Sequence, residues 1–212
     1  MKKILLTLTA VAGLTFASNA QEFGFEKGNF IVEGSLQASS TNNKNSENKE
    51  SAFQFTPQAG YFVTDKIAVG IGLGYGRGKE TTNTTAVKTV RTDEVFAAGV
   101  FGRYYFLDLG SRFKTYTQVN LAYANTTGEE KLGSDPAVKD PALNGFNAGA
   151  GVGVNYFLTN KIAVNFALAD VISYSTAKYD VDGAKSVNTF NANLNVFDNF
   201  FSTAKFGLTF KF

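Results

Sequence analysis

Apolar and small residues alternate with period two over long parts of this chain. In residues 67–75, Ile67, Val69, Ile71, Leu73 and Tyr75 share one face, and Ala68, Gly70, Gly72 and Gly74 the other. In residues 146–156, Phe146, Ala148, Ala150, Val152, Val154 and Tyr156 oppose Asn147, Gly149, Gly151, Gly153 and Asn155. The last residues put Phe206, Leu208, Phe210 and Phe212 against Lys205, Gly207, Thr209 and Lys211. Strict alternation is the signature of a half-buried β-strand. Beyond residue 20 no run of 18 apolar residues occurs, so no spanning helix is predicted. Eight strands are predicted, over 29–39, 52–62, 67–77, 94–106, 112–124, 145–157, 161–172 and 202–212. Pro57 lies inside the second and lacks a ladder donor, which predicts a bulge or a misplaced strand end there.

The stretch GIGLGYGRGK, residues 70–79, has the look of a phosphate loop. A Walker loop needs Gly, four residues, then Gly-Lys-Ser/Thr. Counting back from Gly78 reaches Leu73, and Lys79 is followed by Glu80. The dinucleotide fingerprint GxGxxG also fails in every register. Period-two glycine instead describes one bare face of a strand, which lets bulky neighbours fill a narrow interior.

Alternation alone leaves open which face is the core. A soluble sandwich turns its large apolar face inward; a membrane barrel turns it to lipid. The connections decide between them. YFVTDKIAVGIGL (61–73) and YFLTNKIAVNFAL (156–168) match at eight of thirteen positions, each reading strand, tight turn, strand. The turns fall at Thr64-Asp65 and Thr159-Asn160, and a third at Leu107–Gly110 follows Tyr104-Tyr105-Phe106. Aromatics at turn mouths suit a membrane–water interface. Between these turns lie long polar stretches at 39–51, 77–94, 124–143 and about 173–201. Short turns at one rim and long loops at the other are the plan of outer-membrane barrels.

The first residues add an address. Lys2 and Lys3 precede an apolar run, Ile4 to Phe16, and then Ala17-Ser18-Asn19-Ala20. This is the layout of a secretory signal peptide cleaved after Ala20. Removing it takes two lysines away and leaves 18 basic against 18 acidic residues. No basic field remains to attract nucleic acid. The chain has no cysteine and no histidine, which excludes disulfides, thiolate or imidazole metal sites and histidine-based catalysis. No cofactor is expected.

The tail KFGLTFKF carries Lys205, Gly207, Phe210 and Phe212 in the order polar, glycine, aromatic, aromatic. It resembles the C-terminal assembly signal of bacterial outer-membrane barrels. With the leader and the turns, residues 28–212 resemble the small outer-membrane β-barrel family, the OmpA-barrel and OmpX-like proteins. The resemblance implies an all-β, eight-stranded antiparallel up-and-down transmembrane barrel with short periplasmic turns and long extracellular loops. It implies a cleaved leader (1–20), a short periplasmic segment (21–27) and a barrel domain (28–212) in the outer membrane of a Gram-negative bacterium. It also implies recognition by the barrel-insertion machinery, a monomer, and outer-membrane lipid and lipopolysaccharide as surroundings. Family members with a periplasmic peptidoglycan-binding domain carry it after the barrel; with the sequence ending at Phe212, no such domain is expected here.

An eight-stranded barrel is just wide enough for its side chains to fill. The expected inward polar set comprises Glu33, Gln37, Gln58, Arg103, Gln118, Asn147, Asn155 and Lys205, with Gln54, Asn120, Asn165 and Thr209 beside them. Glu33 would need a cation, either Arg103 or Lys205. The aromatic mouth of its own strand would turn Arg103 to lipid, where it would have to snorkel; the lumen is the preferred placement. Such a set locks a fold or gates an ion path. The acidic residues Glu129, Glu130, Asp135, Asp140, Asp180 and Asp182 match no calcium loop and read as solvated charge. In the last loop Phe190, Leu194, Val196 and Phe197 form an apolar stripe, which packs on the rim, extends a hairpin or the last strand, or meets an extracellular partner. The expected function is a structural or loop-mediated role in the envelope, not catalysis. A narrow channel for small solutes is the alternative, and a soluble lipocalin-like barrel comes third.

Overall fold

The computed structural model describes residues 23–83, 87–192 and 205–212. Among these are ten strands and no helix: β1 (Phe30–Asn43), β2 (Asn48–Phe62), β3 (Ile67–Asn83), β4 (Lys88–Leu109), β5 (Phe113–Leu132), β6 (Val138–Lys139), β7 (Leu143–Phe157), β8 (Ile162–Tyr179), β9 (Val187–Ala192) and β10 (Lys205–Lys211). All pairings are antiparallel. The order runs β1-β2-β3-β4-β5-β7-β8, and β10 pairs with both β8 and β1, closing an eight-stranded barrel. β9 continues along β8 above β10, facing Ile172–Ala177, while β10 faces Ile162–Ala167. The two-residue β6 adds to the top of β5. Closure leaves no edge in the lower barrel, as a strand-built membrane span requires.

The two rims are built differently. At the lower rim the repeated sequence folds into the same turn twice. Thr64 Oγ1 accepts from the backbone N–H groups of Lys66 and Ile67, and Thr159 Oγ1 from those of Lys161 and Ile162. Val63 N–H then reaches Ile67 O at 2.9 Å, and Leu158 N–H reaches Ile162 O at 2.9 Å. A short Thr hydroxyl offers the backbone this local partner, so the identical residues give identical geometry. At the upper rim the predicted loops are largely strand. β4 has 22 residues and β5 20, against about 9–11 needed to cross a bilayer. In the stretches 39–51 and 77–94, read as loops, residues 39–43, 48–51, 77–83 and 88–94 are hairpin arms whose polar Ser, Thr, Asn and Lys wet both faces. Alternation vanishes where neither face is buried, so the prediction stopped there.

Side-chain direction follows the predicted parity. Val69, Ile71 and Leu73 lie outward and exposed, with Ala68 buried on the opposite face. Outward aromatics form two rings. Phe30, Tyr61, Tyr104, Phe113 and Tyr156 encircle the lower end; Phe53, Tyr75, Phe96, Phe146 and Tyr174 encircle the upper. Tyr61 and Phe53, like Tyr104 and Phe96, are eight residues apart on one strand. At about 3.4 Å per residue and a tilt of about 40°, that is a belt of about 20 Å, near the height of an outer-membrane apolar band.

The expectation about Pro57 is corrected. Pro57 sits in β2 with no bulge: Phe55 faces Tyr75 and Gln58 faces Gly72 in an unbroken register. The register instead shifts between Tyr105 and Leu107 on β4 and around Gly151 where β7 meets β8.

Candidate functional site

The lower half of the lumen is closed by a polar network set on an aromatic plug. Glu33 on β1 and Arg103 on β4 meet at its centre. Arg103 is 1% exposed and Glu33 3%, so Arg103 faces the lumen and not lipid. Its Nη1 and Nη2 donate to the two Glu33 oxygens at 2.7 Å each. Its Nε and Nη2 also donate to Gln118 Oε1, at 2.9 and 2.7 Å, and its Nη1 to the Tyr105 hydroxyl at 3.1 Å. All five guanidinium N–H groups thus have acceptors. The Tyr116 ring lies 4.1 Å beneath the guanidinium carbon, adding a cation–π contact.

Glu33 is satisfied just as fully. Gln58 donates to it at 2.6 Å, Asn165 at 3.2 Å and Thr209 at 2.7 Å. Tyr105 donates to Asn155 at 2.8 Å, and Asn155 to Thr209 at 2.9 Å, which closes a ring back to Glu33. Tyr116 donates to Asn165 at 2.8 Å. Every barrel strand except β3 supplies a member. β3 supplies space: a Cβ on Gly70 would run into Ala59 O and lie 2.6 Å from the Phe101 ring. Gly153 on β7 leaves room for Tyr116 in the same way. The bare glycine face admits the bulky rings that fill the interior, as the period-two glycines implied.

Below the network, Phe25 from the segment before β1 folds back into the lower mouth. It stacks on Phe62 at 4.5 Å between centroids and packs on Tyr105 and Phe157 at 4.8 and 5.0 Å. Lys211 Nζ to Gly24 O (2.8 Å) and Gly28 N–H to Phe62 O (2.9 Å) pin the segment. Ile31, Ala68 and Ala163 complete this apolar layer. Among the described residues the buried side-chain atoms without a partner are Asn48 Oδ1 and Thr115 Oγ1, neither of them in the network. Above the network the lumen opens into a cavity of about 520 Å³, lined by Gly72, Gly74, Gly76, Ala97, Gln37 and Gln54 among others.

Of the expected inward set, Glu33, Gln58, Arg103, Gln118 and Asn155 converge as one network. Gln37 lines the upper cavity instead. Asn147 lies higher on β7, opposite Ala122 and Ser175, and takes no part. The Lys205 side chain lies outside the described residues, as do Leu194, Val196, Phe197 and the leader. Phe190 is described: it is exposed, opposite Tyr174. The reading missed Tyr105, Tyr116 and the Phe25 plug. Tyr105 stands between Tyr104 and Phe106, so parity alone would have turned it inward once Arg103 was placed there.

The outer membrane protein beta-barrel domain family matches residues 4–210. The chain belongs to that family. Among solved structures, the barrel is similar to the outer membrane protein OprG of Pseudomonas aeruginosa, at 14% identity and a TM-score of 0.50, covering 89% of this chain and 98% of that one. It is also similar to outer membrane protein W of E. coli, at 16% identity and a TM-score of 0.45, covering 88% and 99%. No curated protein sequence matches the chain. At these identities the likeness is one of fold. In this outer-membrane barrel, therefore, the exposed apolar face meets lipid, and the Glu33–Arg103 pair lies in the span.

Above the span a second charged cluster sits in the extracellular sheet. Arg91 contacts Asp93 at 3.1 Å, Asp140 at 2.9 Å and Glu130 at 3.8 Å. Asp93, bonded beside it, holds the Arg91 pKa above its ordinary value. All four side chains are about 40% exposed, so these pairs tie β4, β5 and the β6 segment with little net energy.

Proposed function

We propose that this barrel has a structural or interactive role in the envelope of a Gram-negative bacterium, presenting extracellular hairpins on a closed, non-conducting stave. The observation that carries this reading is the Glu33–Arg103 network, in which all five guanidinium donors are bonded within the lumen. A path for water or ions would have to break these bonds and displace Phe25 beneath them. A buried charge of this kind is costly to leave unpaired, and a packed polar core specifies one register of the barrel. The same reading takes residues 1–20 as a leader cleaved after Ala20, the tail from Lys205 to Phe212 as the signal for the insertion machinery, the barrel as a monomer without enzymatic activity, and lipid and lipopolysaccharide as its surroundings.

One observation favours the narrow-channel alternative: the 520 Å³ cavity above the network, which would be its outer vestibule. Single-channel recording of the protein extracted from outer membranes separates the two. Heat-shifted gel migration verifies that the barrel is folded. A folded, electrically silent barrel is the expected result. Stable, reproducible conductance steps would overturn the closed-lumen reading and move attention to the gate at Arg103.

A further inference from the structure

Above the upper aromatic ring β2 and β3 segregate charge by face, whereas β4 and β5 carry Glu94 and Glu129 outward. On β2 and β3, inward positions carry Glu50 and Glu80, directly opposite one another, with Asn48 Nδ2 donating to Glu80 at 3.2 Å and to Glu50 at 3.4 Å. Arg91 is the next cross-strand neighbour of Glu80 on that face. Outward positions carry Lys49 and Lys79, one diagonal step apart across the ladder, because Lys49 faces Thr81 and Ser51 faces Lys79. Lys44 from the β1–β2 turn and Lys88 from the start of β4 join them. Together these four lysines, with Glu47 as the single carboxylate, line a groove of about 740 Å³ on the outer wall. None of the four makes an ion pair among the described residues, whereas the inward charges include the paired Arg91.

The height of this groove is set by the strands. Lys79 is four residues above Tyr75, and Lys49 four above Phe53. At about 3.4 Å per residue and a tilt of about 40°, their Cα atoms stand about 10 Å above the upper aromatic ring. The polar layer of one leaflet is about 5–8 Å deep. Lysine stems bend toward that layer by snorkelling, so the ammonium groups reach the headgroups from the wall side. Lys49 and Lys79 thus face the leaflet next to the headgroups, Lys44 and Lys88 continue the unpaired row higher on the wall, and such a row complements phosphate, not the lumen's solutes.

We propose that this groove binds the phosphate groups of a phosphorylated glycolipid of the outer leaflet, with Lys44, Lys49, Lys79 and Lys88 as donors. The site fixes one lipid to the β1–β3 sector and damps motion of the β1–β2 hairpin, whose β1 edge above Ser35 pairs with no strand but β2 among the described residues. It rests on the outer-membrane setting and is independent of whether the lumen conducts.

The test uses the full protein, extracted from outer membranes into detergent and titrated with diphosphorylated lipid A, dephosphorylated lipid A or inorganic pyrophosphate. Bound species are counted by native mass spectrometry. The diphosphorylated lipid should bind most tightly, and the fourfold variant K44Q/K49Q/K79Q/K88Q should weaken it by about tenfold or more, which corresponds to about 1.4 kcal/mol. The variant K131Q/K178Q removes exposed lysines from β5 and β8 and should bind as the parent does. Heat-shifted migration establishes that each variant is folded. Equal binding by the fourfold variant, or equal binding of the dephosphorylated lipid, overturns the proposal. Pyrophosphate binding as tightly as the lipid overturns it as well, because the groove would then be a general anion site.

Discussion

Replacing Arg103 by Met keeps the stem and removes the charge. The structure sets the magnitude. Two charge-assisted bonds to Glu33, two to Gln118 and one to Tyr105 vanish, and Glu33 keeps only Gln58, Asn165 and Thr209. Charge-assisted bonds contribute about 1.5–3 kcal/mol each, and stranding one member of a buried pair costs about 3–5 kcal/mol. A destabilisation of about 3–5 kcal/mol is therefore expected for Arg103→Met. Glu33→Gln should cost a similar amount, since it strands Arg103 instead. The double variant strands neither charge, so it should be less damaging than the two losses added together, by about 2 kcal/mol. The chain has no tryptophan, so the assay is heat-shifted gel migration of vesicle-inserted protein across a urea series. Single-variant losses below about 1 kcal/mol, or a double variant equal to the sum, would contradict a dry, mutually dependent Glu33–Arg103 pair. Either would mean that water screens the pair and that the lumen is wet.

Phe25→Ala removes the ring that stacks on Phe62; it should cost about 3 kcal/mol and open the segment before β1 to protease, read by cleavage near residues 23–27. Gly153→Val should destabilise the barrel by about 1–3 kcal/mol in the same urea assay, because the new side chain meets the Tyr116 ring. Deleting Phe212 removes its reciprocal backbone bonds to Phe30 at the β1–β10 seam; the folded, heat-shifted fraction recovered from outer membranes should fall sharply, and an unchanged yield would argue against the tail as an assembly signal.

Much of the barrel is legible in single residues. The alternation of Ile67, Val69, Ile71 and Leu73 with glycine could be assigned to a strand because a pleat has a fixed period. The Thr64 and Thr159 turns could be placed because a threonine hydroxyl caps its own turn, wherever the chain goes next. The upper hairpins were read as loops because strands wetted on both faces lose the apolar signal; only pairing across the ladder made β4 a 22-residue strand.

The centre of the lumen shows the division most clearly. Residue type and parity alone turn Glu33, Gln58, Gln118 and Asn155 inward and require a cation for the carboxylate. Which cation answers it depends on strand stagger around a closed barrel, and stagger is a property of all eight strands together. Closure brings Arg103 opposite Glu33, 70 positions along the chain, and leaves Asn147 and Gln37 higher in the lumen. Phe25 had no strand pattern to reveal it; the mouth of the finished barrel is what offers its ring a place. Local chemistry determined the strands, the turns and the faces. The shear of the closed sheet decided which inward side chains meet, because contact across a lumen is set by register and not by sequence neighbourhood.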